Sequence, residues 1–236
     1  MKIAIMQPYF FPYLGYFSLI KHTERFIILD TVQFIKHGWI ERNRILKPNS
    51  GFQYISIPLI KYSRETKIND VIINNNIDWR DKIFRQLEHY KKRAPFYGET
   101  IDIIKKSFDI ETQSIVELNR NILKNICNYI NIDLNIDIFS KMDLEIRIPN
   151  APDEWALNIC KSIGDIEEYW NPEGGIKFFN PAKYEKEGIK INFLKMDLPI
   201  YKQRRSEFVP GLSIIDVMMF NESSKINKML DEYQLL

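Results

Sequence analysis

The sequence predicts an α/β fold with a largely parallel sheet, and three observations carry that prediction. A short apolar run, Lys2 to Met6, stops at Pro8; Leu14 to Lys21 then shows helical spacing, and Arg25 to Asp30 forms a second apolar run. Strand, loop, helix and strand in that order make a βαβ unit, whose crossover is right-handed and whose strands run parallel. Hydrophobic residues at 45% and charged residues at 27% of 236 residues are ordinary for a globular chain able to bury a large core.

The later elements follow from pattern. Phe52 to Ile60 alternates apolar and polar residues up to Pro58, and Val71 to Ile73 is a short strand candidate; both are expected to extend the opening sheet. Trp79 to Lys92 and Thr112 to Tyr129 repeat apolar residues at three- and four-residue intervals, as amphipathic helices do. The break Ala94-Pro95-Phe96-Tyr97-Gly98 separates the first of these from a third helix, Glu99 to Phe108. Residues 78–130 are thus a candidate helical subdomain inside a single domain spanning 1–236.

Ile136 to Phe139 reads as a strand, and Pro152-Asp153-Glu154 opens a helix that ends near Ile163, ahead of Gly164. Ile189 to Leu194 is a late strand. Ser213 precedes the apolar run IIDVMMF, with Asp216 completing a variant capping box, and a short helix is expected from Ser223 to Tyr233. The whole is Rossmann-like, with additional helices in the C-terminal half.

Charge and motifs exclude several functions. Thirty-three basic against thirty-one acidic residues leave a net charge of +2, which gives no general attraction to a polyanion, so no nucleic acid polymer is expected as partner. Cys127 and Cys160 stand apart, without zinc or redox spacing, and read as reduced core thiols. No apolar stretch approaches the ~20 residues of a spanning helix, and the opening run is too short for a signal segment. A cytoplasmic location without membrane insertion is the expectation. Walker, GxSxG, HExxH and CxxC elements are absent, and no metal is predicted.

Three clusters hold the candidate site residues. The first follows the opening strand, where open α/β sheets place ligands: Gln7, Tyr9 and Tyr13, with Gly15 positioned to let a phosphate approach the next helix. The same aromatics can instead form a plug packed on the sheet. The second follows the next strand: Asp30, Gln33, Lys36, His37, Trp39, Arg42, Asn43 and Arg44. Asp30 or His37 could serve as a base, and Lys36, Arg42 and Arg44 could neutralise a pyrophosphate, unless the charges simply pair within a solvated loop.

His22 at a helix end and His89 beside a charged stretch have structural explanations, which leaves His37 as the better base. In the third cluster, Gly174 and Gly175 could wrap a ligand or form a turn. Ser213 could cap a helix aimed at an anion or only cap it.

The strings MQPYFFPYLGYFSLI, RFIILDTVQFIKHGWIERNRI, HYKKRAPFY, YWNPEGG and FVPGLSIIDVMMFN occur in an order that resembles the WbqC-like family over nearly the whole chain. The resemblance implies a place in the biosynthesis of lipopolysaccharide O-antigen or another surface glycan. It further implies transfer of an acyl or aminoacyl (glycine) group to a nucleotide-linked amino sugar, hence an acyl or aminoacyl donor as co-substrate. It carries over no catalytic residues. On this expectation Lys36, Arg42 and Arg44 hold the pyrophosphate, Tyr9, Tyr13 and Trp39 pack on base or sugar, and Asp30 or His37 deprotonates the amine.

A looser architectural similarity is to nucleotidylyltransferases, with Tyr13 and Tyr16 standing where an HxGH-type element has histidines. A nucleotidylyltransferase-like enzyme using a nucleoside triphosphate, and a non-catalytic glycan-assembly binding protein, are the alternatives. A homo-oligomer is compatible with either.

Overall fold

A computed structural model describes residues 1–236. β1 (Lys2–Met6), α1 (Leu14–His22) and β2 (Arg25–Ile28) form the expected opening unit. An antiparallel hairpin follows, β3 (Arg42–Leu46) with β4 (Phe52–Ser56), then three helices, α2 (Trp79–Leu87), α3 (Tyr97–Phe108) and α4 (Ile115–Tyr129). The chain returns to the sheet with β5 (Ile136–Ile138), α5 (Glu154–Ile163), β6 (Glu168–Pro172), α6 (Pro181–Glu185) and β7 (Lys190–Met196). It closes with α7 (Ile214–Phe220), α8 (Ser223–Met229) and β8 (Tyr233–Leu235).

The main sheet has six strands in the order β5-β2-β1-β6-β7-β8, parallel except for the β7–β8 pair. Leaving out the hairpin and numbering the sheet strands along the chain turns this order into 3-2-1-4-5-6, the order of doubly wound dinucleotide-binding folds. The expected Rossmann-like α/β architecture is therefore present.

Strand alternation distributes the core. Ala4, Phe26 and Ile28 face a cluster built with Phe17, Leu19 and Ile20 of α1, Met218 of α7 and Ile226 of α8. Ile3, Ile5 and Ile27 face the opposite layer, formed by Ala156, Ile159 and Cys160 of α5 and Tyr184 of α6. Trp79, Ile83, Ile104, Ile122 and Ile126 join the first cluster, so residues 79–129 share one core with the sheet. Asp78 caps α2 by accepting from the Asp81 amide, and Ser114 caps α4 by accepting from that of Glu117. Gly164, at φ 76°, lets the chain leave α5 where an L side chain would be strained.

Several local expectations change. The Phe52 run ends as a strand at Ser56 and pairs only with β3, rather than extending the sheet. Its ribbon buries Asn43, Ile45 and Ile55 on one face and leaves Phe52 and Tyr54 exposed on the other, a pattern unsuited to a sheet covered on both faces. Val71 to Ile73 contributes only isolated bridges, from Ile72 to Ser114 and Ile73 to Leu59. Asn171 and Pro172 end β6, and the last helix stops at Met229 before β8. Cys127 and Cys160 are free and buried, and burial pushes each thiol up to about 12. No helix is long and apolar enough to cross a membrane.

Candidate functional site

In this strand order β1 connects to β2 on one side and β6 to β7 on the other, so the switch point lies between the ends of β1 and β6. Gln7 to Tyr13 and Glu173 to Gly175 flank it, which brings the first and third predicted clusters to one edge. Side chains occupy the edge. Gly15 has no Cβ, and one added there would lie 2.6 Å from three outer atoms of Tyr13. Gly15 thus makes room for the Tyr13 ring at the start of α1, rather than for a phosphate as the sequence suggested.

Tyr9 lies over Tyr16 with ring centroids 5.4 Å apart, and the Tyr16 hydroxyl donates to the Gln7 carbonyl at 2.8 Å. Burial raises the Tyr9 pKa; it also pushes Tyr13 up to about 12, with Tyr9 and the Glu173 charge adding to the shift. Gly175 is pressed against the Asn171 side chain, whereas Gly174 has open space where a Cβ would be. The tyrosines form the plug that was one of the two sequence-based alternatives.

Buried amides join this edge to the segment after β2. Asn43 Nδ2 donates to the carbonyls of Phe10 and Phe11 at 3.0 and 2.9 Å, and Asn119 Nδ2 donates to those of Pro8 and Ile40 at 2.9 Å each. Ser213 donates to the Phe11 carbonyl at 2.8 Å and accepts from the Ile215 amide, which makes it a helix cap inside the core. Asn43 is therefore a scaffold group rather than the ligand contact that the sequence suggested, and Ser213 follows the capping alternative instead of contacting an anion. Asp30 is 1% exposed. Its two oxygens accept from the Ser140 amide at 3.0 Å and the Ser140 hydroxyl at 2.5 Å. That engagement fixes the turn after β5 and removes Asp30 from the candidate bases.

The open space lies beside the hairpin, in a cleft of about 1010 Å³ between residues 33–42, the end of β4 and residues 57–64. Of the predicted residues it gathers Gln33, Lys36, His37 and Arg42. It adds Glu41, Tyr54, Lys61, Tyr62 and Arg64, which the sequence did not single out. Gln33 Nε2 donates to the Arg64 carbonyl at 2.6 Å and ties the two walls together. Lys36, His37, Lys61 and Arg64 are exposed, and none of these cationic or ionisable groups forms an ion pair.

His37 sits in the left-handed region at φ 61°, which is costly for an L residue with a bulky side chain. Its amide donates to Glu41 Oε1 at 2.6 Å, and Arg42 donates to the carbonyls of His37 and Gly38 at 2.5 and 3.4 Å. The Arg42 guanidinium also lies 4.2 Å over the Tyr54 ring. Arg42 thus stabilises the turn as well as lining the cleft. Arg44 points elsewhere: it donates to the Gly211 carbonyl at 2.8 Å and lies over Phe52 and Trp39, at 5.0 and 5.4 Å. Trp39 and Arg44 therefore belong to the outer face of the hairpin, next to the cleft wall.

Among the cleft residues that the sequence did not single out, Glu41 is the buried carboxylate. It is 6% exposed, and its Oε2 is buried without a hydrogen-bond partner. Burial raises its pKa, against the pull of the His37 amide and of the nearby Arg42 and His37 charges. One sequence signal marks it: Glu41 is in phase with Asn43 and Ile45, the inward positions of the ribbon, so a carboxylate there points to the interior.

A second buried carboxylate, Asp216, accepts from the Tyr90 and Tyr201 hydroxyls at 2.6 Å each and from Gln203 at 2.9 Å. Burial pushes it up to about 6, and its partners tie the hairpin and the 201–213 segment to α7.

The WbqC-like protein family model matches residues 7–228. The chain is 30% identical over 223 residues to a Mycobacterium tuberculosis (strain ATCC 25618 / H37Rv) protein described as "Uncharacterized protein Rv1507c", with 93% of each chain covered. No solved structure matches.

Proposed function

Starting from the fact that this chain belongs to the WbqC-like protein family, we propose that it is a cytoplasmic transferase of surface polysaccharide (O-antigen) biosynthesis. Its substrate on this proposal is a nucleotide-linked amino sugar, and the reaction is transfer of an acyl or aminoacyl group, such as glycyl, to the sugar amine. One observation supports it most: Lys36, Lys61 and Arg64 stand unpaired around a single cleft large enough for a nucleotide sugar. Exposed cations with no protein partner suit a pyrophosphate, and the neighbouring Tyr54 ring suits a base or sugar.

The amine must be neutral to attack. His37, in the cleft wall, takes the proton from the ammonium. The nitrogen then bonds to the acyl carbon as the bond to the donor's carrier group breaks; the carrier leaves with the displaced electron pair and takes up the second proton that the nitrogen gives up in becoming an amide. The test is calorimetric titration of the chain with uridine and thymidine diphosphate sugars, with and without Lys36→Ala and Arg64→Ala. Binding that weakens about tenfold or more in the double variant supports the assignment; identical binding in both proteins removes it.

The 3-2-1-4-5-6 strand order favours a second reading, a nucleotidylyltransferase-like enzyme. It predicts tight binding of a nucleoside triphosphate that Tyr13→Ala alters and Arg64→Ala does not.

A further inference from the structure

We infer that Glu41 is the amine-recognition group of the cleft, selecting a substrate that carries a free ammonium beside its phosphates; this rests on the transferase reading above. The geometry supports it in three ways. Glu41 belongs to the wall of the cleft, and it is almost wholly withdrawn from water. Only one of its oxygens is engaged, by the His37 amide at 2.6 Å, while Oε2 has no partner.

A buried polar atom without a partner is costly, and native proteins keep few of them. An ammonium supplies both the missing donor and the opposite charge, so it gains more at this position than at an exposed carboxylate. Arg42 lies near enough for its charge to act on the carboxylate, but its N–H groups donate to the His37 and Gly38 carbonyls and form no ion pair or hydrogen bond with Glu41. The turn that positions Glu41 is itself held in place, through the left-handed His37 and its amide. Around this carboxylate the cleft is cationic, with Lys36, Lys61 and Arg64 exposed. One negative group inside a positive rim matches a ligand that is anionic at one end and carries a single ammonium at the other.

Acylation converts the ammonium into a neutral amide, whose single N–H donor carries no charge. The product therefore loses its attraction to Glu41 while keeping its phosphates on the rim, so the cleft favours substrate over product.

The test compares two ligand pairs by calorimetry on the full chain: glucosamine 1-phosphate against N-acetylglucosamine 1-phosphate, and UDP-glucosamine against UDP-N-acetylglucosamine. The wild-type protein is expected to prefer the free amine by about tenfold or more, the size of one charge-assisted hydrogen bond. Glu41→Gln, which keeps the shape and removes the charge, is expected to bring that ratio close to one by weakening binding of the free-amine member of each pair. A wild-type protein that binds both members of each pair equally overturns the inference without recourse to any variant. A preference that survives Glu41→Gln overturns it as well. If the wild-type protein binds none of the four compounds, the transferase reading fails and this inference with it, an outcome distinct from binding without discrimination.

Discussion

The switch-point edge of the sheet and the cleft beside the β3–β4 hairpin are joined by the same buried amides, yet they are built in opposite ways. At the edge, Tyr9, Tyr13 and Tyr16 fill the position where this strand order usually receives a ligand, and Gly15 gives the Tyr13 ring its place. In the cleft, Lys36, Lys61 and Arg64 remain exposed and Glu41 keeps an unpartnered oxygen. The difference separates strand order from open space: the insertion between β2 and β5 carries the open volume and the charge, while partly buried tyrosines packed against the core fill the fold's usual ligand position.

The strongest way to break the comparison is to cut the join. Asn119→Ala leaves the buried carbonyls of Pro8 and Ile40 without their donor. At roughly 1–3 kcal/mol for each unsatisfied group, the expected loss is about 3 kcal/mol, read as a lower midpoint in urea denaturation. A loss under about 0.5 kcal/mol, the range of an ordinary surface substitution, shows that the two regions do not depend on that side chain.

Asp216 tests how the hairpin is held to the helices. Its folded pKa of about 6 lies above the ordinary 3.8, so the folded chain binds this proton more tightly than the unfolded chain. Stability from this group is complete below the unfolded value and is lost as pH rises through about 6. The span is on the order of 3 kcal/mol. Denaturation of wild type and Asp216→Asn across pH 4 to 8 should show a stability difference that changes in this window. Parallel pH profiles contradict the assignment.

The same contrast explains what the sequence disclosed. The opening βαβ unit was legible because the apolar period changes from strand to helix and back between Lys2 and Asp30. β3 was not, because RNRIL contains three polar residues and acquires its register only by pairing with β4. β6 was hidden because YWNPEGG ends in turn-forming residues, although Glu168 to Pro172 pair with both neighbours.

In the cleft, Gln33, Lys36, His37 and Arg42 were visible as one contiguous block. Lys61 and Arg64 were not, since the hairpin reverses the chain and the Gln33–Arg64 hydrogen bond brings their segment across. Asp30 looked like a base and Asn43 and Ser213 like possible ligand contacts because polar type does not reveal burial; all three turn their polar atoms to internal partners.

A smaller effect sharpens the contrast. Gly15→Ala places a Cβ against the outer atoms of the Tyr13 ring, which can tilt away. The expected cost is about 1 kcal/mol, at the low end for overpacking, with ligand affinity at the cleft unchanged. A fall in affinity that matches the loss of stability places the ligand at the sheet edge.

The most direct measurement of where the anion binds is UDP affinity in two variants made side by side, Lys36→Ala/Lys61→Ala/Arg64→Ala and Tyr9→Phe/Tyr13→Phe. The triple variant is expected to bind at least about thirtyfold more weakly than wild type, roughly 2 kcal/mol, and the tyrosine variant within about twofold of it. Loss of binding in the tyrosine variant with full binding in the triple variant contradicts the account and returns the site to the end of β1.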